Sequence, residues 1–285
     1  MFIAPMLLQQ REKPFSDPAY VFEPKIDGHR VILSRRDGET RLFTRHQTDC
    51  TKQYPELWNP LVDGDVMLDG EVCCIDPATG NIDFELVMDR FQLKKQDKID
   101  TFTVQRPVHF VVWDILYHNG RSLCDLPLTE RRSILESVLQ TNANFSIVPQ
   151  IQEHGEALYQ SIVARSMEGM VAKRKDSKYV SRRSPDWLKI INYQYSEVYL
   201  AGIRKEDFGW LAHVEENGSK RPAGIIELGV KPIHKTAFST VSKQLIIGED
   251  RQFVYLDPKL KARVKFRNWT RNGSLRTPVF LDFVV

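Results

Sequence analysis

The stretch with the clearest chemical content is Glu23-Pro24-Lys25-Ile26-Asp27-Gly28-His29-Arg30, which lies between two apolar runs. A lysine attacks only as the free amine, so a nucleophilic lysine needs neighbouring cations or burial to lower its pKa. Arg30 and a metal-bound nucleotide are candidates for that role. If the chain before Lys25 is extended, Glu23 lies on the same face and can read the nucleotide, while Gly28 permits a tight turn beside it. The alternative is an ordinary hairpin turn, in which Asp-Gly between charged residues is common.

Two further stretches offer carboxylates for a metal ion. In the extended run Leu68–Val72, Asp69 and Glu71 point to one face. Glu168 opens a second stretch that ends at Lys173. Two carboxylates on separate strands suit Mg²⁺ on an α-phosphate, where the ion neutralises charge that develops during in-line transfer.

The elements that position these side chains follow from hydrophobic periodicity, which indicates an α+β region up to about Ile191. We predict a helix capped by Asp83 and running to Lys95, a second capped by Thr129, and a third over 156–166. A nearly apolar run over 108–116 predicts a buried central strand that ends at an Asn-Gly turn.

After Asn192 the pattern changes to short alternating strands. We predict them at 198–203, 210–214, 225–228, 263–266 and 279–285. One helix, with Phe238, Val241 and Leu245 on a face, interrupts them. This arrangement is typical of a small barrel such as the OB fold, and an SH3-like barrel is the alternative.

Composition limits the class of protein. With 285 residues, 42% of them hydrophobic, the chain is long enough for two domains with their own cores. A net charge of +3 is only mildly basic, so nucleic-acid binding would depend on local clusters at 173–178, 182–183 and 263–276. A solvated charged face is the alternative for each cluster.

The cysteines and the apolar segments predict the compartment. Cys50, Cys73, Cys74 and Cys124 form no Cys-x-x-Cys pair, which disfavours zinc and a disulfide framework. No apolar stretch is long enough to span a bilayer, and the run at 6–8 lacks a basic leader. We therefore expect a soluble cytoplasmic protein.

The stretch around Lys25 resembles the Lys-x-Asp-Gly-x-Arg motif of the covalent nucleotidyltransferases, which comprise ATP-dependent DNA ligases, RNA ligases and mRNA capping enzymes. Later segments resemble the other motifs of that superfamily in the same order, and together they cover most of the chain. They are Asp69-Gly70-Glu71, residues 168–173 and Trp187-Leu188-Lys189-Ile190-Ile191. The tract 269–280 is similar to the closing part of ligases of the bacterial end-joining type.

The resemblance implies a role for each matching residue. Lys25 would be the catalytic nucleophile, and Glu71 and Glu168 the metal ligands. Trp113 stands where relatives carry a phenylalanine or tyrosine that stacks on adenine, although a core tryptophan is the alternative. The residues implied to bind ATP are Glu23, Arg30, Arg45, Glu71, Trp113, Arg183 and Lys189. For Arg45 and Arg183, a surface ion pair is the alternative.

The function implied is that of an ATP-dependent DNA ligase that uses ATP and Mg²⁺ on nicked double-stranded DNA, as a monomer. Residues 1–191 would form an ATP-grasp-like nucleotidyltransferase (adenylation) domain, and residues 192–285 an OB-fold domain. Two other readings stay open: an RNA ligase or GTP-using capping-type enzyme, and a nucleic-acid binding relative without activity. A P-loop ATPase is excluded because no Gly-x-x-x-x-Gly-Lys-Ser/Thr run occurs.

Two departures from the superfamily pattern fall on phosphoryl transfer. Ile191 occupies the position of a second lysine, two residues after Lys189, and the arginine-containing motif that follows in many relatives is not found after Phe280. We therefore expect a slow ligase that is limited by its own adenylylation.

Installing the missing charge as Ile191→Lys should accelerate formation of the covalent nucleotide adduct. One charge-assisted contact made only in the transition state is worth roughly ten- to hundredfold in rate. The measurement is single-turnover labelling of the protein by ATP. A folded variant with an unchanged rate would show that another residue already supplies this charge.

Overall fold

The computed structural model describes residues 2–284. The chain divides into two compact units, Met1–Asn192 and Tyr193–Val285. This division falls one residue later than the expected boundary between 191 and 192. The assignment of these parts as adenylation and OB-fold domains stays a prediction.

The first unit mixes strands and helices. In chain order they are β1 (Leu7–Gln10), β2 (Tyr20–Pro24), β3 (His29–Arg36), β4 (Glu39–Thr44), β5 (Val66–Cys74), α1 (Phe84–Gln92), α2 (Gln96–Gln105), β6 (Val108–His118), β7 (Arg121–Ser122), α3 (Leu128–Val138), β8 (Phe145–Ile147), β9 (Ile151–Gln152), α4 (Gly155–Ala164), β10 (Gly169–Arg174) and β11 (Arg183–Ile191). Short 3-10 turns cover Thr51–Gln53 and Pro55–Leu57.

These strands form two sheets. The first has the order β1-β11-β10-β2-β9, in which β1 pairs in parallel with β11, and β10 pairs antiparallel with both β11 and β2. The second has the order β4-β3-β5-β6-β7, with β8 beside β6. Residues directly opposite in an antiparallel pair share a face, so Glu23, Val171 and Lys189 lie on one face of the first sheet.

The two sheets pack face to face, and helices cover their outer faces. The outer face of the first sheet packs on α4 through Phe22, Ile162, Met170, Ala172, Leu188 and Ile190. The outer face of the second sheet packs on α1 and α3. The layer between the sheets contains Met6, Val21, Ile32, Met67, Leu116, Leu128, Tyr179 and Trp187. Glu23 and Lys189 therefore lie on the inner face of the first sheet.

The predicted cap of α1 is confirmed, but its end is wrong. The Asp83 carboxylate accepts a hydrogen bond from the Leu86 amide at 3.0 Å. The helix stops at Gln92 instead of Lys95, because Leu93 is extended, and α2 follows. Hydrophobic periodicity did not predict α2. Its one buried residue is Ile99, and a single apolar position does not form a stripe along a helix.

Two other helix boundaries also differ from the prediction. Thr129 lies inside α3, whose N-cap is Pro127. The helix α4 ends at Ala164, and Ser166 has a positive φ of 53°, which is outside the helical region. The buried strand at 108–116 is confirmed as β6, and the turn at Asn119-Gly120 follows it.

The second unit is mostly β. In chain order it comprises β12 (Gln194–Arg204), β13 (Trp210–Glu216), β14 (Ser219–Ile226), α5 (Pro232–Ser242), a 3-10 turn at Lys243–Leu245, β15 (Ile246–Glu249), β16 (Phe253–Leu256), β17 (Lys261–Phe266) and β18 (Val279–Val284). The strand order is β14-β13-β12-β16-β15, and β17 pairs with both β12 and β18. Trp210, Phe238 and Phe280 lie in its buried core.

Several predictions for this unit need correction. The strand expected at 225–228 is the end of β14, which begins directly after Gly218, a turn glycine with φ of 76°. β15 and β16 were missed, because β15 is exposed throughout and lacks the alternation of a half-buried strand. Val241 is 48% exposed and is not on the buried face of α5. Val285, the last residue of the predicted final strand, lies outside the described residues.

A buried ion pair joins three parts of the first unit. Arg131 of α3 and Asp114 of β6 are both 0% exposed, and two guanidinium nitrogens donate to the two carboxylate oxygens at 2.8 Å. The third nitrogen donates to the Leu126 and Ser177 carbonyls at 2.6 and 2.9 Å. The pair therefore anchors α3 to the second sheet and to the segment between β10 and β11.

Replacing Arg131 with Met should destabilise the first unit strongly, because Asp114 would remain buried without its partner. A broken buried pair costs about 3–5 kcal/mol, whereas an exposed pair is worth about 1 kcal/mol or less. The matched control is Arg41→Met, which removes the exposed pair with Glu39. Urea unfolding of both variants measures the difference, and equal losses would contradict the role given to the buried pair.

Candidate active site

Lys25 directly follows β2 and continues its pairing with β10. Its backbone N–H donates to the Gly169 carbonyl at 2.8 Å. Its side-chain Nζ lies 2.7 Å from Oε2 of Glu168, a carboxylate that is only 3% exposed. Lys25 itself is 19% exposed, so solvent and a ligand can reach the amine. The structure thus brings the predicted nucleophile and a predicted metal ligand together.

Two glycines matter here because of close packing. A Cβ on Gly28 would lie 2.2 Å from the Val72 carbonyl oxygen and 2.8 Å from Cγ of Glu71. The chain bends at Gly28, but its φ is not positive, so close packing and not a left-handed conformation is the reason for glycine here. Gly169 has φ of 151°, and a Cβ there would meet the Ile190 carbonyl oxygen at 2.2 Å. Both positions therefore hold neighbouring strands close around the carboxylates.

Glu71 lies on β5, directly opposite Arg30 of β3. Burial raises the pKa of Glu71 to about 8, although Lys25 and Arg30 act in the opposite direction. A carboxyl group held protonated in this way gives up its proton when a cation binds beside it. Asp69 shares its face, as predicted, whereas Leu68 and Val72 pack in the core on the other side.

Arg30 belongs to the framework of the site. It donates to both carboxylate oxygens of Asp69, at 3.0 and 2.6 Å, and to the Met6 carbonyl at 2.8 Å. The hydroxyl of Tyr179 donates to Asp69 at 2.7 Å. In this structure Arg30 is therefore engaged with protein groups, and its direct contact with ATP stays a prediction.

The environment of Glu23 contains two residues that the motif comparison did not single out. Glu23 is 2% exposed, and its Oε2 lies 2.7 Å from Nζ of Lys173, which is also 2% exposed. Gln150 donates through Nε2 to the other oxygen at 2.8 Å. The sequence signal for Lys173 was its position in the apolar run of β10, opposite Val21, where a surface lysine is not expected.

Two tryptophans flank this pair. The Nζ of Lys173 lies 4.2 Å from the ring centroid of Trp187 and 5.4 Å from that of Trp113. Trp187 is buried, whereas Trp113 is half-buried and also lies 5.2 Å from the guanidinium carbon of Arg30. Nε1 of Trp113 is buried and has no hydrogen-bond partner. The aromatic residue predicted to stack on adenine thus lies beside the buried cation.

Lys189 and Ile191 share the inner face of β11, as predicted. Lys189 lies opposite Val171, and Ile191 lies opposite Gly169 with only 4% of its surface exposed. Arg45 and Arg183 are exposed, one in the turn after β4 and the other at the start of β11. Arg183 donates to the Leu8 carbonyl. The structure does not gather these two arginines with the buried residues around Lys25.

The sequence also matches a known protein family over most of the first unit. Residues 5–190 match the family model described as ATP dependent DNA ligase domain. The chain belongs to the ATP-dependent DNA ligase family. It is 35% identical to the SPbeta prophage-derived DNA ligase-like protein LigB of Bacillus subtilis, with 98% of each chain covered.

Longer ligases of the family contain only a part that corresponds to this chain. The multifunctional non-homologous end joining DNA repair protein LigD of Mycobacterium tuberculosis is 29% identical over 90% of this chain, which spans 35% of that protein. A solved structure of mycobacterial DNA ligase D complexed with ATP and MES is also similar. It has a TM-score of 0.60 and 25% identity, and the match covers 99% of this chain and 94% of that one. Across residues 2–284, no helix has the length and apolar character needed to cross a membrane.

His29, inside the ligase motif, is held neutral by its surroundings. Its ring lies 4.2 Å from the ring of Phe91, and Nδ1 is 3.1 Å from the Tyr54 hydroxyl. Burial lowers the pKa of His29 to about 4. In the unfolded chain a histidine titrates near 6.5, so the unfolded state gains a proton first as the pH falls.

Stability should therefore decline as the pH falls from about 6.5 to about 4. The contribution of His29 is fully present above 6.5, and up to about 3 kcal/mol is lost by pH 4. The measurement is the free energy of unfolding at several pH values for the native chain and for His29→Gln, which lacks this titration. Parallel pH profiles for the two proteins would refute the assignment.

Proposed function

We propose that this member of the ligase family seals nicks in double-stranded DNA through a lysyl-AMP intermediate, as a cytoplasmic monomer. The free amine of Lys25 attacks the α-phosphate of ATP, a nitrogen–phosphorus bond forms, and pyrophosphate leaves. AMP then passes to the 5′-phosphate of the nick, and the 3′-hydroxyl displaces it to form the phosphodiester. The observation that carries the proposal is the 2.7 Å contact between Lys25 and Glu168.

The contact suggests how the amine is held and released. Without a nucleotide, the buried carboxylate of Glu168 fixes the position of the Lys25 side chain. A cation bound to Glu168 would compete for the same oxygen and weaken the hold on the ammonium group. Arrival of the metal with ATP would thus release the Lys25 side chain from Glu168 at the moment when its target is present.

The donor set around Lys25 fits Mg²⁺. Glu71 and Glu168 both offer carboxylate oxygens near Lys25, and burial of Glu71 favours a partner cation. The described residues contain no group of three or more His, Cys, Asp or Glu side chains suited to a metal ion. Mg²⁺ in nucleotide sites commonly uses one or two carboxylates together with phosphate oxygens and water. When bound, it would neutralise charge on the transferring phosphoryl group.

Residues of the predicted ATP site divide the remaining tasks. Glu23 would read the base, Trp113 would stack on it, and Lys189 would pair with a phosphate. Arg30, Arg45 and Arg183 would contribute to phosphate or ribose binding. Arg45 and Arg183 are exposed, so they would contact the nucleotide only where it extends to the protein surface.

We assign DNA binding mainly to the second unit, as an OB-fold module. Its antiparallel strands with a single interposed helix are typical of that fold. A cleft of about 630 Å³ in this unit is lined by Tyr199, Arg221, Lys261 and Trp269 among others, and it also contains Glu215 and Glu216. Trp269 is 39% exposed, and such aromatic and basic side chains suit stacking and phosphate contacts.

The basic clusters predicted from the sequence contribute unequally. Lys173 is buried in its pair with Glu23, and Arg174 pairs with Asp176, so the stretch at 173–178 is not a continuous basic surface. Arg263 is exposed, 4.0 Å from Asp282. The names of the relatives, an end-joining DNA repair protein and a prophage DNA ligase-like protein, support DNA as the substrate.

Replacing Lys25 with Ala should abolish formation of the covalent nucleotide adduct and the sealing of a nicked duplex with ATP. The matched control is Lys25→Arg, which retains the charge beside Glu168 but stays protonated and cannot attack. Both variants should be inactive for the adduct, and Lys25→Arg should unfold at nearly the native urea concentration. Adduct formed at the native rate by either variant would exclude Lys25 as the nucleophile.

A second comparison separates DNA ligase from the other enzymes of the superfamily. Nicked duplexes with DNA strands should be sealed faster than the same duplexes with an RNA strand, and ATP should support labelling where GTP does not. Preferential sealing of the RNA nick, or labelling by GTP, would favour an RNA ligase or a capping-type enzyme instead.

A further inference from the structure

The buried contact between Lys173 and Glu23 is not explained by stability. A pair of charges taken out of water costs desolvation energy, and apolar residues of similar size are often as stable or more stable. Here both residues are 2% exposed, and the Nζ of Lys173 lies between two tryptophan rings. An apolar side chain could occupy the same space between the rings. A specific use of the charge is therefore the better explanation.

The arrangement fixes the Glu23 carboxylate at both oxygens. Lys173 lies 2.7 Å from Oε2, and Gln150 donates to Oε1 at 2.8 Å. Burial lowers the pKa of Lys173, and Glu23 is the largest influence in the opposite direction, so each charge supports the other. An ionised carboxylate is an acceptor only, with room for about four hydrogen bonds, so the ion pair with Lys173 and the hydrogen bond from Gln150 leave room for a ligand donor.

The position of this carboxylate identifies the ligand group. Glu23 precedes Lys25 by two residues on the inner face of the first sheet, and Trp113 lies beside Lys173. A base stacked on Trp113 would present its edge to Glu23. A 6-amino group donates to a carboxylate, whereas a 6-oxo group repels it and leaves a buried acceptor unpaired.

We propose that Lys173 and Gln150 are positioning residues that hold Glu23 as a fixed acceptor, so that the site selects a 6-amino purine over a 6-oxo purine. The proposal rests on the proposed function and adds to it the origin of nucleotide choice. Lys173 and Gln150 act through Glu23, and neither needs to touch the nucleotide.

The test compares ATP with purine riboside triphosphate, which lacks the 6-amino group, and with inosine triphosphate, which carries a 6-oxo group. Affinities are measured by equilibrium binding without metal and by the concentration dependence of adduct formation in single turnover. The native protein should prefer ATP over both analogues by roughly tenfold or more, the value of a hydrogen bond to a charged group.

Lys173→Met should remove most of this preference by weakening ATP binding, while the binding of purine riboside triphosphate changes little. The rate of adduct formation at saturating ATP should change much less than the affinity. Lys173→Arg, which keeps the charge, should restore part of the preference. Lys178→Met is the matched control, because Lys178 is exposed and pairs only at the surface with Asp125.

A purely structural role would weaken the binding of all three nucleotides by the same factor, and that result would overturn the proposal. Should Lys173→Met fail to fold, Gln150→Leu decides, since it leaves the ion pair intact and should still reduce the preference. An unchanged preference in Gln150→Leu would then overturn the proposal. Absence of any adduct in the native protein would instead refute the proposed ligase activity, and the binding measurements would still report the selectivity.

Discussion

Burial of charge between two facing sheets is the constraint on which the first unit depends. The layer holds apolar side chains, yet it also encloses the pairs Arg30–Asp69 and Lys173–Glu23, and the buried pair Arg131–Asp114 joins α3 to the second sheet. Each charge must find its partner across strands or helices that are distant in the chain, because an unpaired buried charge costs several kcal/mol. The pair Arg30–Asp69 ties β3 to β5, and the pair Lys173–Glu23 ties β10 to β2, so each sheet has a charged cross-link between neighbouring strands.

The chemistry proposed for the site depends on the same requirement that buried charges be paired. Glu168 and Glu71 are surrounded by cations and apolar groups that leave little water to stabilise them. Such carboxylates respond strongly to an arriving ion, since a metal replaces a proton or a lysine as their counter-charge. In the proposed mechanism, Glu168 would therefore hold Lys25 until nucleotide and metal arrive together.

Motif spacing predicted the centre of the site well and its surroundings poorly. The common face of Lys189 and Ile191 follows from strand periodicity, which is local. Lys25 and Glu168 are 143 positions apart, and it was the resemblance to the superfamily that assigned both to one site. The reason for Gly28 was missed because its neighbours, Val72 and Glu71, come from a strand more than forty residues away. Gln150 was missed for the same reason. Helix α2 and strand β15 lack an apolar stripe, so tertiary contacts, and not their own sequences, determine them.

The parallel pairing of β1 with β11 has a consequence for synthesis on the ribosome. Leu8 and Arg183 meet although 175 residues separate them. At about 5–20 residues per second, the strand at the start of the chain waits roughly 10 to 35 seconds for its partner to be made. During that time Met6, Leu7 and Leu8 have no sheet to join, and exposed apolar edges of this kind favour aggregation. The nascent chain is therefore expected to depend on rapid translation or on a chaperone that shields β1.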